Sequence, residues 1–293
     1  MKGLNSYKWV IGYIFSLPIL LFYFMFKLIP LLLTILYSFT NWRTTSTAKE
    51  FIGLSNYAQI FRDKVAWEAL YHNLVWIIIG TITPILIGLA LSLAIWKPSR
   101  LRNFFRTVYF LPCVLSLVAI GIIWDWLYNP LFGPINTLLQ SVGLGSLARG
   151  WLGDPKLALI SVLISAIWVH TGFCFVILFA GLQNVDMELI DAAKIDGANS
   201  WQTFLNVTLP QMASVLTMLT TYTLIGGFNV FDIVFVMTNG GPGTSSEVIG
   251  TYTYRKAFME GELGYGSALS VIILLLSLAA SYLFIKLRER REE

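Results

Sequence analysis

Six stretches of this chain are each about twenty or more residues of almost unbroken apolar side chain, and this constrains the fold more than any other feature. They lie at about 9–39, 73–96, 107–127, 157–182, 209–237 and 263–285. A helix of roughly 20 residues crosses about 30 Å of hydrocarbon. In lipid every backbone N–H and C=O must find a partner within the protein, which leaves helices or closed barrels. Barrel strands alternate apolar and polar residues, whereas these runs are continuous. The expectation is an all-α integral membrane protein with six transmembrane helices, residues 1–293 forming a single transmembrane domain. Composition agrees: 56% of residues are hydrophobic and 12% charged, against roughly 25% charged in soluble domains.

The net charge of +4 is too small and scattered for nucleic-acid binding. Cys113 and Cys174 lie inside apolar runs and form no CxxC pair, so they read as small buried residues. His72 and His170 are too few for a histidine-rich metal site. No HExxH, GxSxG or GxxxxGK[ST] pattern occurs, and no nucleophile–base pair suggests an intramembrane enzyme. The first run follows Lys2 and Lys8 but is too long for a signal peptide and has no small-residue cleavage site. It reads as a retained helix, with Lys27, about 27 Å along it by helical rise, snorkelling at the far interface.

Orientation follows from the basic residues of short loops and tails. Lys97, Arg100, Arg102 and Arg106 follow the second run, and Lys286, Arg288, Arg290 and Arg291 follow the sixth. With six spans both groups share a side with the N-terminus, which places both termini in the cytoplasm. Segment 186–210 then falls on the cytoplasmic side too. Thr40–His72, Tyr128–Lys156 and Asn239–Glu262 are outer loops, the last opening with the turn-rich Asn-Gly-Gly-Pro-Gly. Asp125 and Asp232 fall near the outer interface by helical rise and read as gate or surface groups. No internal repeat is visible, so the inverted repeats of many secondary transporters are not seen.

Segment 186–210 is polar and lies between two apolar runs. Met187–Asp196 should be a helix with acids at its start, as the dipole favours. Gly197 should break it. Ser200–Thr208 should form a second helix with Trp201, Phe204, Leu205 and Thr208 on one face, and Pro210 suits the first turn of the next span. Two readings remain open on these grounds: a lever that a partner pushes, or an interfacial connector with no partner.

The order Asp191-Ala192-Ala193, three residues, Gly197, nine residues, Val207, one residue, Leu209-Pro210 resembles the EAA motif of permease subunits of bacterial binding-protein-dependent ABC importers. Asp191 stands for glutamate and Val207 for isoleucine. The resemblance runs over nearly the whole chain and is nearest to the sugar branch, of the maltose and oligosaccharide type. It includes "RTVYFLPCVLSLVAIGIIWDWLYN", "WLGDPKLALISVLISAIWVHTGFCFVILFAGLQNV" and "FNVFDIVFVMTNGGPG". It implies a type I ABC importer permease fold in the bacterial cytoplasmic (inner) membrane. It also implies that 186–210 is a coupling loop seated on a separate ATPase, with Asp191, Ala192, Ala193, Gly197, Leu209 and Pro210 as its coupling residues. Asp191 would contact a basic residue beside the ATPase groove, and Gly197 would supply the bend. No cofactor is expected in this chain, whose role is transport and not catalysis; ATP and Mg belong to the partner ATPase. The other implied partners are a second homologous permease and an extracytoplasmic sugar-binding protein.

For the substrate path the resemblance points to the faces of the fourth and fifth helices. Ala166, His170 and Phe173 share one face, and Thr223, Gly227 and Val230 another. Trp168 and Asn229 join them because sugar sites combine aromatic rings with amide and hydroxyl groups. A permease for glycerol phosphate or another polyol is the nearest alternative, weakened by the lack of a mid-span arginine. A stand-alone secondary transporter would call for mid-membrane acids. The residues do not identify the sugar or its chain length.

Overall fold

The computed structural model describes residues 3–46, 49–96, 100 and 102–289, with side chains from Tyr13 to Arg288 among them. Of the basic residues used above, Lys2, Lys97, Arg290, Arg291 and the side chain of Lys8 lie outside the described residues. The described chain is helical apart from one isolated antiparallel bridge, Thr40 to Phe51. It divides into two compact units, Met1–Asp63 with Thr253–Ile272, and Lys64–Tyr252 with Ile273–Glu293.

In the first unit, α1 (Gly3–Tyr23) passes through a π turn, Phe24–Leu28, into α2 (Ile29–Tyr37). The turn is closed by the Ile29 N–H donating to Phe24 C=O. Its place is set by Pro30, which lacks an N–H and whose ring would press on the carbonyl four residues back; the wider turn relieves that clash. Lys27 falls inside this turn. The chain then folds back through α3 (Ser55–Arg62). Buried Asn56 donates to Ser38 C=O (2.8 Å) and Thr40 C=O (2.9 Å), which ties α3 to the end of α2. Beyond α2, Arg43 pairs with Glu262 (3.0 Å), and Lys256 lies between Glu260 and Glu262. Partial burial pulls the Lys256 ammonium down, but the Glu260 hydrogen bond and the charges of Glu260, Glu262 and Asp63 outweigh it and hold its pKa above the ordinary lysine value.

The second unit is built on two long helices, α4 (Lys64–Ala94) and α8 (Ala158–Gln183). Lipid offers apolar side chains no reason to prefer one another, so membrane helices associate through small residues that let backbones approach. Gly88 of α4 is such a point: a Cβ there would sit 2.9 Å from Phe175 N and 3.0 Å from Cys174 Cβ. One turn on, Ser92 Oγ donates to Gly88 C=O (2.7 Å) and lies 3.1 Å from Phe175 C=O. Around α8 pack α5 (Arg102–Val114), α6 (Leu117–Leu127), α12 (Ala213–Phe228) and α13 (Asp232–Met237). A short helix, α7 (Pro134–Ser141), lies between α6 and α8. Between α8 and α12 run α9 (Met187–Ile195), α10 (Ser200–Thr203), a π turn Phe204–Thr208, and α11 (Leu209–Gln211). After α13 come α14 (Ile249–Tyr254), then, in the first unit, a π turn Arg255–Met259 and the start of α15 (Leu263–Glu289), whose residues from Ile273 on belong to the second.

Four described helices are long and apolar enough to cross a membrane: Tyr13–Tyr37, Lys64–Ala94, Ala158–Gln183 and Leu263–Arg288. The other two apolar runs differ from the uninterrupted spans that hydropathy predicts. The run at 107–127 starts earlier, at Arg102, and is a pair of helices bent by 99° at residues 115–116. Pro112 removes one helical N–H there, and Ser116 starts α6 afresh by accepting from Ala119 N (3.2 Å). The run at 209–237 is divided among α11, α12 and α13, with residues 229–231 non-helical. The second run, in contrast, is longer than its apolar part, since Ala66 and Ala69, both fully buried, extend the packed face of α4 back to Lys64.

Candidate functional site

Two places in the second unit gather the residues singled out by the sequence. The first is the polar segment. Asp186 caps α9 by accepting from Glu188 N (2.8 Å). Asp186 N in turn donates to Gln211 Oε1 (2.8 Å), which joins the two ends of the segment. The helix ends at Gly197, whose φ is +87°. Gly197 N donates to Lys194 C=O (3.1 Å) and Ala198 N to Ala193 C=O (2.9 Å), the paired bonds of a Schellman ending. A residue with a Cβ would pay roughly 1–2 kcal/mol to hold that left-handed conformation. A capping box follows, Asn199 with Gln202, both bonds at 2.9 Å.

The two faces of α9 differ. Met187, Ile190 and Lys194 line a cavity, Ile190 buried at 5% exposed and the other two exposed at its rim. Glu188, Asp191, Ala192 and Ile195 turn outward, with Ile195 87% exposed. Asp191 pairs with Lys194 (2.8 Å) across one turn, in solvent; such exposed pairs contribute about 0–1 kcal/mol. Ala193 is half-buried, Leu209 half-buried and Pro210 exposed. In the second half, Trp201, Phe204 and Thr208 of the expected face line that same cavity, and Leu205 departs from it. Trp201 and Leu205 are exposed, while Thr203 and Thr208 are buried. The reason is the π turn Phe204–Thr208, closed by Leu209 N donating to Phe204 C=O. As at Pro30, it precedes a proline, Pro210, and its extra residue shifts the face that a regular helix would present.

The second place is a cavity of about 220 Å³ between α4, α6, α8 and the broken α12–α13 pair. Ala166, His170, Thr223, Gly227, Asn229 and Val230 all line it. Trp168 and Phe173 do not. Trp168 is two residues from Ala166, hence about 200° around the helix, and packs edge-on to Trp124 with ring centroids 5.8 Å apart. Phe173 lies one turn beyond His170 and pairs with Tyr222 at 5.0 Å. Sequence reasoning missed Trp76 and Asp232 as lining residues. The signal available for Asp232 was the polar pair Asn229 and Asp232 just after Gly226-Gly227, inside an apolar run.

His170 Nδ1 bonds to Ala166 C=O (3.3 Å). A carbonyl only accepts, so Nδ1 carries a proton. Thr223 Oγ1 donates back along its own helix, to Leu219 C=O (3.0 Å) and Thr220 C=O (3.1 Å). Asn229 Nδ2 donates to Ile225 C=O (2.9 Å). Asp232 opens α13. The break between α12 and α13 is secured from outside the cavity by buried Asn73. Its Nδ2 donates to Gly227 C=O (2.9 Å), and its Oδ1 accepts from Ile249 N (2.7 Å). Beside it, His72 Nδ1 donates to Glu247 C=O (2.8 Å). The wall thus offers acceptors, an amide, a hydroxyl and two aromatic rings, Trp76 and Phe231, with no lysine or arginine among the described residues. Among the described residues no group of histidine, cysteine and acidic side chains could hold a metal ion.

Residues 84–292 match the family model described as binding-protein-dependent transport system inner membrane component. A probable ABC transporter permease protein of Bacillus subtilis (strain 168), YurN, is 37% identical over 280 residues, 94% of this chain and 95% of that relative. The lactose transport system permease protein LacF of Rhizobium radiobacter is 33% identical over 297 residues, 99% of this chain and 98% of that relative. A chain in the crystal structure of a bacterial alginate ABC transporter, in complex with an alginate pentasaccharide-bound periplasmic protein, superposes with a TM-score of 0.85. The superposition covers 97% of this chain and 96% of that one at 20% identity, and establishes likeness of fold.

Proposed function

The chain belongs to the family of binding-protein-dependent transport system inner membrane components, and from that premise we propose that it is the permease subunit of an ATP-driven importer for sugars or oligosaccharides. The observation that carries the sugar reading is the chemistry of the 220 Å³ cavity. Sugars are bound by aromatic faces with carboxylate, amide, hydroxyl and imidazole partners for their hydroxyl groups. Trp76, Phe231, Asp232, Asn229, Thr223 and His170 supply that set. A glycerol phosphate permease would place a cation beside the phosphate, and among the described residues none lines this wall. The relatives named for lactose, for multiple sugars and for trehalose and maltose favour the same reading.

In this proposal the bent α5–α6 pair forms one span and α12 with α13 another, which makes six. Both termini face the cytoplasm. The same cavity that is lined by Met187, Ile190 and Lys194 is also lined by Trp96 and Arg102. The basic loop after α4 and the polar segment therefore share one end of the bundle, in keeping with the positive-inside rule. The outward face of α9, with Asp191 and Ala192, seats on an ATPase subunit that binds ATP and Mg. A second permease completes the pathway, and an extracytoplasmic binding protein delivers the sugar. When the ATPase dimer closes, α9–α11 move as a lever. Leu209 and Pro210 pass the motion to α12, whose far end carries Thr223, Gly227 and Asn229.

The test is co-purification from the native membrane, with wild type and with the double variant Asp191→Lys, Gly197→Pro. Proline cannot adopt φ +87°, and lysine reverses the coupling charge. Expected is an ATPase and a second permease with the wild type, and loss of the ATPase but not of the permease from the variant. A wild-type chain that purifies alone, and transports after reconstitution without ATP, overturns the reading in favour of a secondary transporter.

A further inference from the structure

The larger cavity in the second unit, about 910 Å³, lies behind the lever and not on its outward face. It is at the upper end of the range of small-molecule pockets, roughly 300–1,000 Å³. Its floor is apolar, from Leu93, Leu182, Val185 and Ile190. Two tryptophans, Trp96 and Trp201, stand at its edge, the residue type that settles at the headgroup level of a bilayer. Arg102 and Lys194 line it, and among the described residues no acidic side chain does. Arg102 lays its guanidinium over the Phe179 ring at 4.7 Å, which fixes the charge beside the wall. Arg106 lies over the same ring at 5.8 Å.

We propose that this cavity binds one anionic phospholipid, its phosphate between Arg102 and Lys194 and an acyl chain along the apolar floor under α9. The occupant is argued from charge and from position. Among the described residues the wall carries two cations, Arg102 held over Phe179 and Lys194 shared with Asp191 outside the lining, the apolar floor continues to the ends of α4 and α8, and the tryptophans mark the interface. Basic pockets between transmembrane helices on the cytoplasmic side are where anionic headgroups bind. The placement at the cytoplasmic face rests on the orientation given under Proposed function. Since Lys194 also pairs with Asp191 of the lever, the bound phosphate touches the element that moves. The lipid is therefore a regulator of coupling: it braces α9 from behind while the outward face meets the ATPase.

The experiment is native mass spectrometry of the assembled transporter, and of this chain alone, from nanodiscs of phosphatidylcholine with a minor fraction of phosphatidylglycerol. Retained phosphatidylglycerol is counted for wild type, Arg102→Gln and Ala198→Leu, the last of which narrows the cavity without changing charge. Expected is specific retention by wild type and about fivefold weaker retention by Arg102→Gln, as loss of one basic contact at an anionic surface implies. Ala198→Leu should lose retention without losing Arg102. Equal counts in all three overturn the proposal. So does displacement by inorganic phosphate, which would make the cavity a site for free phosphate, or protection of the cavity only when the ATPase is present, which would make it a protein contact. The count on the isolated chain keeps this outcome separate from the importer reading, which fails only if no ATPase accompanies the wild type.

Discussion

Asn73 shows how much one side chain can hold in a membrane protein. It is 2% exposed and joins α4 to the carbonyl at the end of α12 and to the N–H that starts α14. Both partners are buried with it, so its removal leaves Gly227 C=O and Ile249 N–H unmatched. Each buried unmatched group costs about 1–3 kcal/mol. Asn73→Leu is expected to lower the thermal midpoint of the detergent-purified complex by several degrees and to reduce transport; an unchanged midpoint would show that the two groups find other partners. The sequence marks Asn73 only as the polar start of an apolar run. Its role was not legible because its partners lie 154 and 176 positions away. His170 was more legible, since a lone imidazole in an apolar run already suggests a cavity-facing position. Trp168 was misleading, because residue type suggested the cavity while helical phase places it elsewhere.

Elements were legible where their cause is local. The start, break and second start of the polar segment follow from Asp186, Gly197 and Asn199, each a residue with one strong backbone preference. Breaks inside the apolar runs were not legible, because hydropathy measures transfer from water and not bond partners. Nor does proline decide the matter by itself. Pro84 lies within an unbroken α4, whereas Pro112 precedes a 99° bend. The difference is Ser116, which can cap a new helix. Packing between elements was hidden for a similar reason: Gly88 looks like any glycine until α8 is seen against it. Gly88→Leu is expected to separate α4 from α8 and abolish assembly, whereas Gly226→Ala, where a Cβ meets nothing within 4 Å, should assemble at wild-type levels. Immunoblotting of membrane fractions with pull-down of the proposed partner permease checks both. Normal assembly of the leucine variant would mean that α4 and α8 can part without cost.

For the whole molecule, six spans and the orientation can be tested by the side from which single cysteines react. In a Cys113→Ser, Cys174→Ala background, Leu131→Cys, at a position 90% exposed, should react with an impermeant maleimide in intact spheroplasts. Asn103→Cys, next to Arg102, should react only after lysis. Reaction of both from one side would require a different number of spans. The class of molecule was legible throughout, since continuous apolar length leaves almost no other fold. Its inner geometry depends on pairings between distant residues, and those are absent from any local window.

The π turns carry a consequence for how such a chain can vary in length. Each of the three described ones, Phe24–Leu28, Phe204–Thr208 and Arg255–Met259, contains one residue more than an α turn would use. That residue is taken up locally as a bulge, and the helix on either side keeps its facing. A codon gained or lost at these points alters the count and little else. The same change within α12 would turn everything beyond it by about 100° and carry Thr223 or Gly227 from the cavity wall to the lipid. The molecule therefore has slack in its reading frame on both sides of its most exacting helix, and none within it.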